Sequence, residues 1–283
     1  MKILAIGDFH GTFSSKFKKI IKKEKIDLVV SNGDFFPFTY RELWFKYCYK
    51  TDKELWDVIG RAKYKKLILE DLRRGEHAIR TLNNVPVQVI TVVGNNDHTR
   101  VNDQYPKLAF GQHGKPDWKW ASQDFFSKVI KKYSNIKRFD YSYFCFGEYV
   151  FIGAYGGSSP GKVTSSAYRK HKKLLDRLFE RFRKENKDRK VIFVSHNVPY
   201  NTKLDKITAK DAPKIVKGKH YGSKLVRRTI EKWGPILHIG GHIHEGFGDT
   251  KIGKTFCLNI GSAHEGQGAI IDLDKGMKVR FIK

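Results

Sequence analysis

The stretches GDFHG, SNGD, GNND, SHN and GHIHE each carry side chains that bind metal ions or move protons. The first supplies Asp8 and His10, the second Asp34, the third Asn95, Asn96 and Asp97, the fourth His196, and the last His242 and His244. Taken singly they have ordinary uses. An aspartate caps a helix or closes a turn, and a His-x-His pair puts both rings on one face of any extended segment. Taken together, carboxylate oxygen, amide oxygen and imidazole nitrogen form a donor set for divalent ions such as Mn, Fe, Zn or Ni. The lack of thiolate argues against a purely structural zinc site.

The elements that must hold these residues are apolar runs. KILAIG, DLVVSNG, VQVITVVG, YVFIGAYGG, KVIFVSH and PILHIGG each end in glycine, serine or histidine, the pattern of strands buried on both faces. Ligands of an open α/β sheet gather at the carboxyl ends of its strands, which is where the chemistry-bearing residues fall. Between the first two runs, Phe13, Phe17, Ile20 and Ile21 form an apolar stripe opposite lysines, so a crossover helix is expected there. Residues 39–83 are too long for a single crossover helix and predict a helical insert of two or more helices, projecting from the body. Its Tyr40, Trp44, Phe45, Tyr47, Tyr49 and Trp56 serve as packing or as stacking platforms. A further helix is expected over 165–186, with His171 packed on it. From Thr250 onward short strands and glycine turns predict an antiparallel end to the sheet system.

The ordered set DFH, GD, GNND, SH and GHIH, spanning residues 8 to 244, resembles the calcineurin-like metallophosphoesterases, whose pattern is D-x-H, G-D, G-N-H-D/E, H and G-H-x-H. The resemblance implies an α/β fold, a four-layer αββα sandwich of two mixed β-sheets with the helical insert between the second and third strands. It also implies two divalent ions per chain, with Mn favoured. Asp8, His10 and His244 would serve the first ion, Asn95, His196 and His242 the second, and Asp34 would bridge them. Two ions about 3.5–4 Å apart activate a hydroxide and neutralise phosphoryl oxygens during in-line attack. The chain departs from the pattern at Asn96, where many relatives carry a histidine that protonates the leaving oxygen. An amide donates a hydrogen bond but delivers no proton. His98, with Asp97 beside it, is a candidate substitute, though an exposed loop histidine is the reading favoured for it.

SHNVPYNTKLD, KHYGS and GHIHE also resemble uncharacterised prokaryotic phosphoesterases similar to cyclic-nucleotide phosphodiesterases. On that likeness Tyr200, Asn201, Thr202, His220 and Ser223 face the substrate. Gly222 and Ser223 open a helix whose amides would hold a phosphate, unless they serve as a turn and an N-cap. The segment GGSSPG, Gly156 to Gly161, reads as a turn.

The 283 residues are read as one domain, 1–283. Cys48, Cys145 and Cys257 lack the paired spacing of a metal site and suit a reducing compartment. With no leader and no apolar run of about 18 residues, no membrane insertion and a cytoplasmic location are expected. The formal net charge of +26 suits polyanions. The expected activity is hydrolysis of a phosphate ester, a phosphodiester before a monoester. The alternatives are a metal-dependent nuclease whose basic surface binds nucleic acid, and a non-enzymatic scaffold of the same fold.

Overall fold

The computed structural model describes residues 1–49, 51, 53–98, 118–121, 123–156, 163–209, 212, 214, 216–274 and 276–283. In chain order the elements are β1 (Lys2–Ile6), α1 (Lys16–Lys23), β2 (Leu28–Ser31), α2 (Arg41–Tyr47), α3 (Leu55–Ile59), α4 (Arg61–Asn83), β3 (Gln88–Thr91), α5 (Phe125–Ile130), β4 (Ile136–Arg138), β5 (Tyr143–Phe146), β6 (Tyr149–Gly153), α6 (Ser166–Arg181), α7 (Arg183–Lys187), β7 (Val191–Asn197), α8 (Lys224–Trp233), β8 (Leu237–Gly241), β9 (Gly248–Ile252), β10 (Thr255–Asn259), β11 (Gly268–Asp272) and β12 (Lys278–Ile282).

Side-chain alternation along β1 splits it between two cores, and this split sets the layers. Leu4 and Ile6 join Val29 and Val89 under Phe17 and Ile21 of α1 and Ile68, Leu72, Ile79 and Leu82 of α4. Ile3 and Ala5 face the other way, into a middle core with Val30, Ile192, Val194, Ile239 and Leu258. A third core places Val191 and Phe193 against Leu175 and Phe179 of α6 and Leu225 and Ile230 of α8. The order is therefore helix, sheet, sheet, helix. Burying each large apolar side chain in these layers contributes about 1.5–3 kcal/mol.

One sheet runs β12-β11-β1-β2-β3-β4 and the other β5-β6-β7-β8-β10-β9. In the first, β1 to β4 are parallel while β11 and β12 are antiparallel additions. In the second, β6, β7, β8 and β10 are parallel with antiparallel β5 and β9 at the edges. All six apolar runs form strands, and the antiparallel terminal strands are divided between the two sheets rather than forming one end. The insert packs instead of projecting: Tyr40, Leu55, Trp56, Ile68, Leu72 and Ile79 belong to the outer core. Gly75 brings α4 down on Phe36, since a Cβ there would lie 1.9 Å from the ring. The helix expected over 165–186 divides into α6 and α7. Of the GGSSPG turn, residues 157–161 lie outside the described residues. No helix among the described residues is long and apolar enough to cross a membrane.

Candidate metal centre

Parallel pairing in both sheets aims the carboxyl ends of β1, β2, β3, β7 and β8 at one region, and the donor residues occupy those ends. Asp8 and His10 follow β1, Asp34 follows β2, Asn95 to Asp97 follow β3, His196 lies next to the last residue of β7, and His242 follows β8. Asp8, His10, Asp34 and His242 hold left-handed backbone, with φ of 53°, 45°, 55° and 73°. Aspartate and histidine tolerate this region better than most residues, at a cost of about 1–3 kcal/mol each, and such strain clusters at functional sites. A Cβ on Gly94 would lie 1.9 Å from Asp34 Oδ1, and one on Gly241 would lie 2.7 Å from Asp8 Oδ2. Glycine at both positions lets the backbone close on the carboxylates.

Two groups of ligand atoms result, Asp8 with His10 and His244, and Asp8 with Asp34 and His196. In the first, Asp8 Oδ1 lies 3.2 Å from His244 Nε2 and 4.0 Å from His10 Nε2. Burial opposes the Asp8 charge, but the His244 hydrogen bond and the nearby imidazoles outweigh it and hold the carboxyl below the usual range. Burial likewise opposes a proton on His244, and the bond to Asp8 overcomes it and raises its pKa. Burial lowers His10 to about 4.

In the second group, His196 Nδ1 bonds the Asn32 carbonyl at 3.0 Å, which leaves the Nε2 lone pair facing inward. Nε2 lies 2.8 Å from Asn95 Oδ1, 3.1 Å from His242 Nδ1 and 3.6 Å from Asp34 Oδ2. Asn95 donates its Nδ2 to Asn96 Oδ1 at 2.8 Å, so its carbonyl oxygen is the inward atom. Burial lowers His196 and, with the His196 charge, takes His242 to about 3, so both rings are neutral near pH 7. Asn95 Oδ1 and His196 Nε2 thus turn lone pairs on each other beside a buried carboxylate, with His242 Nδ1 3.1 Å away. That arrangement is repulsive unless a cation stands among them, and it fits a divalent ion. Burial, then the charges of Asp8 and Asp97, push the Asp34 carboxyl well above its usual range, so this corner also favours added positive charge.

Asn96 does not present a free donor. Its backbone N–H and Nδ2 both go to Asp34, at 2.8 and 3.0 Å. Asp97 is fully buried and accepts from the backbone amides of Asp34, Phe35 and Gly94 at 2.9, 2.7 and 2.7 Å. It clamps the loops after β2 and β3 together and has no oxygen left to orient a ring. Burial, only partly offset by these amides, raises its pKa to about 6. The His98 ring packs 5.8 Å from Phe36, and its Nε2 is enclosed without a partner among the described residues. Burial takes it to about 4, so at neutral pH it is not the imidazolium that an acid step would draw on, and it is not an exposed loop residue either.

Of the five residues expected at the substrate, Asn201, Thr202 and His220 bond Asp205, which the motif reading quoted without singling out. This fully buried carboxylate accepts from Asn201 N at 3.0 Å, Thr202 N at 2.8 Å, Gly222 N at 2.9 Å and His220 Nδ1 at 2.7 Å. Ser223 caps α8, its Oγ accepting from Val226 N, which is the N-cap duty that the sequence offered as the alternative. Thr202 Oγ1 donates to the Pro199 carbonyl, and Tyr200 lies under Lys224 with its ring 6.2 Å from His220. Only His220 keeps a ring nitrogen outside these bonds. Two residues that the motifs do not mark also shape the centre. Asn32 Nδ2 donates to Asp8 Oδ2 at 3.0 Å, and Ser262 Oγ donates to the Asp8 carbonyl at 3.0 Å. The exposed His264 ring lies 6.4 Å from that of His10.

The fold is similar to that of a solved crystal structure at TM-score 0.65 and 21% identity, covering 99% of this chain and 97% of that one. It is also similar to a Thermus thermophilus protein at TM-score 0.56, 16% identity, 99% and 97% coverage. A dimetal phosphatase from Danio rerio matches at TM-score 0.55, 12% identity, 100% and 96% coverage. No curated protein sequence matches significantly. The family model of the calcineurin-like phosphoesterases matches residues 1–246. With that match covering most of its length and the donor residues gathered at its strand ends, the chain belongs to the calcineurin-like phosphoesterase family.

Proposed function

We propose that the chain is a dinuclear metal-dependent phosphodiesterase, a reading carried by the convergence of Asn95 Oδ1, His242 Nδ1 and Asp34 Oδ2 on His196 Nε2. Asp8, His10 and His244 would hold one ion and Asn95, His196 and His242 the other, with Asp34, grouped with Asp8 and His196, the carboxylate available to both. The mixture of carboxylate, amide and imidazole donors suits Mn. Bound there, the ions supply Lewis-acid neutralisation of the phosphoryl oxygens and lower the pKa of the attacking water. Asn96 holds Asp34 in place, and Asp97 fixes the loops that carry both. Among the described residues, Asp8 and Asp34 take their hydrogen bonds and ion pairs from histidine, asparagine and backbone groups, with no lysine or arginine. That suits the single charge of a diester better than the double charge of a monoester. Three free cysteines, of which Cys48 and Cys257 are buried, suit work in the cytoplasm.

The test is to load the chain with Mn, count bound ions, and compare bis-p-nitrophenyl phosphate with p-nitrophenyl phosphate. Two ions per chain and a higher kcat/KM on the diester are expected. A chain that never holds more than one ion, or that prefers the monoester, sinks the proposal. Single-stranded DNA and RNA at low and high salt form a further arm, because lysine contacts to a nucleic-acid backbone weaken steeply with salt.

A further inference from the structure

A phosphodiester with an alkoxide leaving group needs a proton at that oxygen, and the two residues placed to supply it from the loop after β3 do not. Asn96 is committed to Asp34, and His98 is shut against Phe36. The loop after β7 contains a histidine held in the manner of a proton donor. Asp205 is completely buried, and four donors fill both its oxygens. Three of them are backbone amides that fold the loop, and the fourth is His220 Nδ1, at 2.7 Å. Such a carboxylate fixes the ring orientation and tautomer, leaving Nε2 to act outward. The His220 side chain keeps 28% of its surface exposed, so Nε2 is reachable.

The position of this pair follows from Asn259. Its Nδ2 donates to the Leu204 carbonyl at 3.0 Å and to the Ile243 carbonyl at 2.7 Å. Leu204 precedes Asp205, and Ile243 stands between His242 and His244. A Cβ on Gly246 would lie 1.9 Å from the Leu204 oxygen, so the two loops are in contact along this line. Beyond His220, the exposed Tyr221 has its phenol pushed up first by burial and then by Tyr49 of the helical insert. The loop that holds Asp205 and His220 is therefore tied to the turn that carries His242 and His244.

We infer that His220, oriented by Asp205, is the catalytic acid that protonates the leaving oxygen, with Asp205 as its positioning residue. The inference rests on the phosphodiesterase reading. The bond from phosphorus to the leaving oxygen breaks, its electron pair stays on that oxygen, and the Nε2 proton joins it. Water supplies the oxygen that bonds phosphorus and releases one proton to solvent. The imidazole then regains its proton from solvent.

The experiment compares two substrates that share a nucleoside phosphoryl group: thymidine 5′-(p-nitrophenyl phosphate), with an acidic phenol as leaving group, and thymidylyl-thymidine, with a basic alkoxide. His220→Gln, which can keep a donor on Asp205, is expected to lower kcat/KM for the dinucleotide by about 100-fold or more while lowering it for the aryl ester less than tenfold, because a positioned acid is worth about 100 to 10,000-fold. Metal content should not change. Equal losses on both substrates, or no loss on either, overturn the assignment. A second readout uses the Mn-free, Zn-loaded wild-type chain: the His220 ring resonances should shift when orthovanadate is added. Resonances that ignore vanadate overturn the placement, and this holds where His220→Gln fails to fold. A wild-type chain that cleaves neither substrate refutes the phosphodiesterase reading instead, and the vanadate titration still reports on His220 by itself.

Discussion

Asn32 binds no ion in the proposed site, yet it touches both halves of it. Its side chain donates to Asp8 Oδ2, and its main-chain carbonyl accepts from His196 Nδ1. Partners of this kind typically contribute about 10–100-fold to metal affinity. Asn32→Ala removes the first bond and leaves the second, so its Mn affinity is expected to fall within that range, read by competition with a chelating dye. An unchanged affinity would mean that Asp8 is held by its other contacts alone. The ligand residues themselves were legible in the sequence because each follows an apolar run, and a strand end fixes position without any knowledge of neighbours. The work of Asn32 was not, since half of it is done by a carbonyl that every residue has. Asn96, Asp97 and His98 were legible as residue types but not as roles. Along a tight loop successive side chains diverge, and here one turns to Asp34, one to backbone amides and one to the Phe36 ring.

At the scale of elements, the long helix α4 reaches the loop after β2 through Gly75 and Phe36. Alanine is favoured over glycine inside a helix by about 1 kcal/mol. Here its methyl would lie 1.9 Å from a fully buried ring carbon, and overpacking of that kind costs about 1–3 kcal/mol. The second effect wins. Gly75→Ala is expected to lower the thermal midpoint and to weaken metal binding, because Phe36 lies two residues beyond Asp34, and calorimetry with and without Mn reads both. A raised midpoint would show that α4 can shift at little cost. Strands of four or more apolar residues announced themselves in the sequence, whereas Ile136–Arg138 is three residues long with two of them basic, so β4 carries no such signal. The insert read as helical and its aromatics as packing, but what they pack against was not legible, since a stripe of apolar residues says that a face is covered and not what covers it.

For the whole molecule, the buried imidazoles set the response to acid. His238 in β8 bonds Ser195 Oγ at 2.7 Å, its Nδ1 has no partner among the described residues, and burial lowers its pKa from 6.5 to about 3. Between those values the unfolded chain binds a proton that the folded chain refuses, so stability is full above pH 6.5 and declines as pH falls towards 3. One such group costs about 1.4 kcal/mol per pH unit, hence about 2 kcal/mol between pH 6.5 and 5. Denaturant titrations at the two pH values should show His238→Gln losing less stability than the wild-type chain by about that amount. Equal losses would assign the acid response elsewhere, with His171 and its value of about 4 the next group to replace. The placement of β11 has a consequence in time. It is the antiparallel neighbour of β1, with Ala5 opposite Ala269, so during synthesis β1 keeps one edge open from its own emergence until Gly268–Asp272 follows it. At about 5–20 residues per second, that wait is roughly 13–50 seconds. Asp8 waits almost as long for His242 and His244, so a nascent chain has no complete place for an ion until that turn has followed it out of the ribosome.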